Sequence, residues 1–393
     1  MTQIAIRDDI LGLTPYQSFD QRIKARLNTN ENPYPISDEL AAKIGVAVEE
    51  AVKNANRYPS DEHTELKVDL LNYIKEREGV EYGIDNILAA NGSNEIMQEV
   101  HSAFGGPTIS GRASELGDRA VLTFTPTYSM YPQYARDSFT KYETAPRIEE
   151  DYSIDVDLAI KEMERIKPTI VEIANPNNPT GGFTQLEDIV RILDASQEIN
   201  VNGSEHNARP VVVVDEAYID FKRDSDQTAL PLVAKYDNLL VVRTLSKAFS
   251  FAGVRCGFAV GSKQLIDALK IVRLPYNLST ITQTVVRIAL KHSSQMLKAV
   301  DEIRESRDDL YNWLNECSYQ GVKLHVIPSA ANFIQVGFKN QDSGTIPAIM
   351  YDYLVQRDVQ VRVVGPEGYF RVTIGTPEEN QAFKDAFEEF LSA

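Results

Sequence analysis

Four short segments of this chain carry reactive residue types, three of them directly after apolar runs. Asp215-Glu216-Ala217-Tyr218 follows the run 211–214 (VVVV). An acidic residue at that place faces the crevice in which α/β proteins bind ligands, and it would serve equally as a cap for the next segment. The run 239–242 (LLVV) leads into Arg243-Thr244-Leu245-Ser246-Lys247-Ala248-Phe249, with Gly253 and Arg255 shortly after, so one lysine sits among hydroxyls. A partly desolvated lysine loses its proton more easily and forms Schiff bases, whereas a lone solvated lysine does neither. Asn175-Pro176-Asn177-Asn178-Pro179-Thr180-Gly181 follows 170–174 (IVEIA), and its two X-Pro pairs make a rigid loop that aims side-chain amides at a fixed point. Asn91-Gly92-Ser93-Asn94-Glu95 precedes an apolar helical stretch (Ile96, Met97, Val100, Phe104) and offers free backbone N–H groups at a helix N-terminus to an anion such as phosphate. Taken singly, each segment is explained by a cap or a surface turn. Taken together they describe one crevice with an anion cradle, an amide, an acid with a tyrosine, and a lysine flanked by hydroxyls and an arginine.

The elements that must position these groups follow from the apolar pattern. Continuous apolar runs at 120–125, 170–174, 211–214, 239–242 and 257–260 predict strands buried on both faces, hence a parallel sheet covered by helices. Leu40, Ile44, Val48 and Val52 predict a helix within 37–56, ending before Tyr58-Pro59, and Thr184 with Glu187 three residues on predicts a capping box opening another. Beyond residue 290 the pattern becomes a helix (294–316), two strands (322–327, 332–337), a helix (345–356), two strands (359–364, 370–374) and a last helix opened by Thr376, Pro377 and Glu379. The expected organisation is an N-terminal arm (1–35), a large α/β domain (36–290) and a smaller α+β domain (291–393) packing with the N-terminal segment. The stretches 105–118, 200–209 and 338–345 read as surface loops.

Composition excludes other classes. The 393 residues hold 40 Lys+Arg against 57 Asp+Glu, a net charge of −17, which argues against a nucleic-acid binder needing a basic stripe. Two cysteines, Cys256 and Cys317, provide neither a disulfide framework nor a C-x-x-C motif, and the five histidines form no local ligand pair, so no metal is expected. The N-terminus has no signal-peptide pattern and no long uncharged apolar run occurs, so a cytoplasmic, non-membrane protein is expected. Gly106 to Arg112 imitates P-loop spacing without its lysine, and neither G-x-G-x-x-G nor G-x-S-x-G is present.

The motif set N-G-S-N, P-T-Y, N-P-N-N-P-T-G, D-E-A-Y and T-L-S-K, with Arg255 eight residues beyond the lysine, resembles the fold-type I pyridoxal-phosphate aminotransferases over nearly the whole chain. That resemblance implies pyridoxal 5'-phosphate as cofactor, with Lys247 as its Schiff-base lysine and catalytic base. It implies that Asp215 pairs with the pyridine nitrogen, that Tyr218 and Asn178 hydrogen-bond the ring's 3-oxygen, and that Tyr128 stacks on the ring. Ser93, Asn94, Thr244, Ser246 and Arg255 would hold the cofactor phosphate, and Tyr58 would reach that of a neighbouring subunit in a homodimer with shared active sites. Within the superfamily, Leu13 to Ser18 (LTPYQS), N-x-N-E-N-P-Y at 28–34, L-S-K-A-F at 245–249, G-V-R-C-G at 253–257 and P-Y-N-L-S at 275–279 resemble the histidinol-phosphate aminotransferases. By that likeness Tyr16 closes over the substrate and Arg362 and Arg371 clamp its phosphate, two fork-shaped donors suiting a dianion. The reaction implied is transfer of the amino group of L-histidinol phosphate to 2-oxoglutarate, giving imidazole-acetol phosphate and glutamate in histidine biosynthesis. The lengthened loops 105–118 and 200–209 depart from the pattern without touching a motif residue.

Three other readings share parts of this pattern. An aminotransferase of aromatic or broader specificity would use Arg371 for an α-carboxylate, and a phosphothreonine-type decarboxylase shares the need for phosphate binding. A ligand-sensing regulator would need an added DNA-binding module, for which no stretch of the chain is spare.

Overall fold

The computed structural model describes residues 4–15, 23–107, 117–204, 206–339 and 344–393. Strand β1 (Ala25–Arg26) stands apart near the N-terminus, and the next seven strands form one sheet. They are β2 (Ile87–Ala90), β3 (Ala120–Thr125), β4 (Lys141–Pro146), β5 (Ile170–Ala174), β6 (Val211–Asp215), β7 (Leu239–Thr244) and β8 (Gly257–Gly261), in the spatial order β2-β8-β7-β6-β5-β3-β4. All five predicted runs are strands here. Two further strands, β2 and β4, close the edges; β4 alternates exposed and half-buried residues and so lacks the continuous apolar signature.

The mostly parallel sheet expected of this fold is present, with the run 257–260 as the exception. Strands β3 to β7 are parallel to one another, but β8 is antiparallel to β7 and β2 antiparallel to β8. The cause lies in the connection: residues 245–256 form a loop carrying Lys247 and Arg255, without the crossover helix that would return the chain in parallel.

Continuous apolar strands feed two cores. Leu122, Phe124, Val171, Ile173, Val212, Val214, Leu239 and Val241 belong to one, shared with helices Val156–Ile166 and Leu186–Gln197. Their neighbours Val121, Ala174, Val213, Leu240 and Val242 belong to the other, shared with Ser93–Phe104 and Lys263–Val272. The predicted helix within 37–56 is Asp38–Val52, its first turn capped by the Ser37 hydroxyl, which accepts from the Leu40 N–H at 3.2 Å. The capping box at Thr184 is not formed. The helix starts at Leu186, and Thr184 instead closes the loop before it: its N–H donates to Asn175 Oδ1 (2.7 Å) and its carbonyl accepts from Asn175 Nδ2 (3.0 Å).

The C-terminal part builds a third core from helices Ala299–Glu316, Ile346–Val355 and Pro377–Ser392 with strands β9 (Ser318–Tyr319), β11 (His325–Val326), β12 (Phe333–Gly337), β13 (Val359–Gln360) and β14 (Tyr369–Thr373), while β10 (Val322–Lys323) is exposed. The predicted helix 294–316 is two, Ser293–Met296 and Ala299–Glu316, and the run 322–327 divides between a hairpin with β9 and a short pairing with β12. The run 359–364 forms only β13, then a single bridge from Arg362 to Arg371. The last helix carries the predicted box, with the Glu379 N–H donating to Thr376 Oγ1 at 3.2 Å and the Thr376 N–H to Glu379 Oε2 at 2.9 Å. β1 pairs in parallel with β13, so Ala25 and Leu27 join this core although they come from the opposite end of the chain.

Candidate active site

A cavity of about 510 Å³ opens beyond the C-terminal ends of the parallel strands. Ser93, Asn94, Tyr128, Asn178, Asp215, Tyr218, Thr244, Ser246, Lys247, Arg255, Arg362 and Arg371 all line it. Tyr58 is 81% exposed and stacks on Tyr276 at 4.5 Å, away from the cavity, and Tyr16 lies outside the described residues.

One end of the cavity is built for an anion. The helix Ser93–Phe104 begins there, after Gly92 at φ 82°, and its first N–H groups have no carbonyl within the helix to pair with. Gly257 on β8 allows this close approach: a Cβ at that position would stand 2.5 Å from the Ser93 nitrogen and 2.7 Å from the Gly92 carbonyl carbon. Arg255, itself at φ 61°, donates to Ser246 Oγ at 3.4 Å, and Thr244 Oγ1 lies 2.9 Å from the same hydroxyl. A guanidinium, two hydroxyls and a helix N-terminus thus face one space, a donor set that matches a phosphate.

The other end presents an acid. Asp215, buried at the end of β6, accepts from the Tyr131 hydroxyl (2.9 Å) and the Ala217 N–H (3.1 Å). Burial nevertheless pushes its carboxyl up to about 6, outweighing those two hydrogen bonds, with a further rise from Glu172 and Glu216. Glu172 shares its sheet face, and its carboxylate is held 2.7 Å from His101 Nε2. Tyr131 is a site residue that the motifs do not mark; it sits three residues beyond Tyr128, with their rings edge-to-face at 5.7 Å.

Lys247 lines the same cavity, donating to the Thr29 carbonyl at 3.0 Å with its amine 5.7 Å from the Tyr218 ring centre. The Tyr218 hydroxyl accepts from Asn30 Nδ2 (3.0 Å) and Asn178 Nδ2 (3.4 Å). Arg371 donates to Asn178 Oδ1 (2.6 Å) and to the Asn28 carbonyl (2.8 Å), its guanidinium 5.2 Å from the Phe333 ring centre. Arg362 is tied to Arg371 through the backbone, with N–H to carbonyl distances of 3.0 and 2.7 Å, so both arginines reach one wall of the cavity. Asn28, Thr29 and Asn30 were legible as a motif, but nothing in the sequence gave them a place in this wall.

The sequence profile of the family described as aminotransferase class I and II matches residues 22–387. The chain belongs to that family. The histidinol-phosphate aminotransferase of Bifidobacterium adolescentis is 42% identical to this aminotransferase over 388 residues, covering 99% of this chain and 95% of the relative. Among solved structures, the histidinol-phosphate aminotransferase of Sinorhizobium meliloti, in complex with pyridoxal-5'-phosphate, superposes with a TM-score of 0.77 at 20% identity over 95% of this chain and 92% of its own. The L-threonine-O-3-phosphate decarboxylase of Porphyromonas gingivalis superposes at 0.72 with the same 20% identity, covering 94% of this chain and 100% of its own. Likeness of fold therefore does not separate the two chemistries. Among the described residues, no helix is long and apolar enough to cross a membrane.

Proposed function

We propose that the protein transfers the amino group of L-histidinol phosphate to 2-oxoglutarate, with pyridoxal 5'-phosphate as cofactor. The observation that carries this reading is the convergence on one cavity of Lys247, an anion cradle, a buried carboxyl and two arginines. The residues fit the cofactor: Ser93, Asn94, Thr244, Ser246 and Arg255 would hold its phosphate, Asp215 its ring nitrogen, and Tyr218 with Asn178 its 3-oxygen, while Tyr128 flanks the ring. When bound, the cofactor supplies an electron sink for the carbanion left at the substrate carbon. Asp215 would pair with the protonated ring nitrogen, a cation that offsets the cost of burying its carboxylate. Lys247 would hold the cofactor through its amine and would be the base that moves the proton at the substrate carbon. Arg371 and Arg362 fix the substrate phosphate in one half-reaction and the distal carboxylate of 2-oxoglutarate or glutamate in the other, and Tyr16 closes over them.

Tyr58 serves the partner's site in this reading. Its exposure and its stacking on Tyr276, beside the exposed Ile271 and Leu274, support a face covered by a second copy. The chain divides as an arm (1–35), a large domain (36–290) and a small domain (291–393), and the enzyme works in the cytoplasm without nucleic-acid or membrane partners. The deciding experiment is a half-reaction followed by cofactor absorbance with histidinol phosphate, phenylalanine and phosphothreonine side by side. Conversion of the cofactor to its amine form fastest with histidinol phosphate supports the proposal; carbon dioxide release from phosphothreonine, or equal rates with phenylalanine, overturns it.

A further inference from the structure

We infer that Asn30 is a positioning residue: its amide fills an acceptor site of the Tyr218 hydroxyl, leaving the phenolic proton to point at the cofactor's 3-oxygen. The inference rests on the reading above that Tyr218 faces that oxygen. It concerns a segment, Asn28 to Tyr34, that the proposed function leaves without a role.

The orientation of the Asn178 amide is fixed by its far end, and that of Asn30 follows from the hydrogen bonds at Thr373. Arg371 has only donors, so the Asn178 atom 2.6 Å from it must be the oxygen, and the Asn178 NH₂ group faces Tyr218. At Asn30, Thr373 Oγ1 accepts the Asn30 backbone N–H at 3.1 Å and turns its own proton to Asn30 Oδ1 at 3.0 Å. The Asn30 NH₂ group is therefore the end that meets Tyr218, at 3.0 Å. A phenol hydroxyl offers two acceptor lone pairs and one proton. Two amide donors occupy the lone pairs, and the proton is left for an acceptor in the cavity. Asn30 is itself firmly held. It is 1% exposed, its carbonyl accepts from Asn332 Nδ2 at 3.1 Å, and its φ of 55° suits asparagine or glycine.

Donation to the 3-oxygen stabilises the form in which that oxygen bears most negative charge, which is the form with the neighbouring lysine–cofactor nitrogen unprotonated. Loss of the donor raises the pH at which that nitrogen releases its proton, and the bound cofactor's absorbance reports that pH. Other charged groups lining the cavity with Tyr218, namely Lys247, Asp215, Arg255, Arg362, Arg371 and Glu31, are unchanged in the variants below, so a shift is read against a constant field.

The test is an absorbance titration between pH 5 and 9 of the full chain loaded with pyridoxal phosphate. Tyr218→Phe is expected to raise the midpoint by about one pH unit, the scale of a hydrogen bond to a charged acceptor. Asn30→Gly, which keeps the backbone conformation, is expected to raise it by about half a unit, and adding Asn30→Gly to Tyr218→Phe is expected to change nothing more. Should the glycine variant fail to retain cofactor, Asn30→Ala removes the same donor without adding charge, again raising the midpoint. An equal shift from Asn30→Gly with and without Tyr218→Phe, or no shift from either Asn30 variant while Tyr218→Phe moves, overturns the role of Asn30. No shift from Tyr218→Phe itself overturns the reading of Tyr218 on which this rests.

Discussion

Replacing Asp215 by asparagine should make the cofactor-free protein relatively more stable at neutral pH than in mild acid. The carboxyl is fully buried and raised from 3.8 to about 6. Because the folded-state value lies above the unfolded one, this group favours the folded form most fully below pH 3.8 and loses that advantage as pH rises through 6. The difference of about 2 pH units corresponds to roughly 3 kcal/mol, of which about half is already incurred at pH 5. Asparagine does not titrate. Its unfolding free energy minus that of the natural chain should therefore grow by roughly 1 kcal/mol from pH 5 to pH 8, whatever constant offset arises from losing one acceptor for Tyr131 or Ala217. The assay is urea denaturation of apoprotein at several pH values, and pyridoxal phosphate added to the natural chain should reverse the order at pH 8. Parallel stability profiles for the two chains would refute the claim that Asp215 is destabilised by burial and awaits a cation.

Lys247→Ala should abolish borohydride-trapped cofactor, seen as the absence of a label after reduction. Gly257→Ala sets a Cβ 2.5 Å from the Ser93 nitrogen, so the helix start must retreat from β8; we expect about 1–3 kcal/mol lost in denaturation and a cofactor affinity at least ~10-fold weaker by titration. Arg371→Ala should lower kcat/KM for histidinol phosphate by about 10²–10³ and Arg362→Ala by about 10, because only the former also orients a buried amide; equal losses in steady-state assays would contradict this ranking. Thr376→Ala should cost about 1 kcal/mol of unfolding free energy without changing kcat, since it removes one half of the last helix's capping box.

The parts of the site that were legible share one property: each lies next to the strand or helix that positions it. Asp215 ends β6, and Asn178 and Lys247 lie in the loops that follow β5 and β7, so finding the apolar run located the reactive residue. What could not be read depends on pairings between distant segments. The direction of β8 is set by the short loop before it and not by its apolar composition, which parallel and antiparallel strands share. Tyr131 was hidden among other aromatic residues, although a tyrosine one helical turn beyond Tyr128 was a usable signal. Glu172 was visible as the lone charge in the run IVEIA, but its partner His101 lies 71 residues away on a helix. Thr184 carried a sound cap signature that lost to Asn175, whose amide bonds both backbone groups of Thr184.

The cavity wall made by Asn28, Thr29 and Asn30 has a consequence for synthesis of the chain. Its bonds to Arg371 and Thr373 span 343 residues, close to the longest separation the molecule allows. A ribosome that has released every strand of the seven-stranded sheet has still not delivered the partners that pin this wall. Closing so long a loop brings its entropic cost late, after the sheet can already have gathered. A chain cut short before β14 would therefore carry Lys247, Asp215, the anion cradle and Asn30 itself, but neither the Thr373 hydroxyl that holds the Asn30 amide nor the Arg371 guanidinium that holds the Asn28 carbonyl. Full cofactor geometry then marks a finished chain, and prematurely terminated copies are left with an incomplete site even where their large sheet has formed.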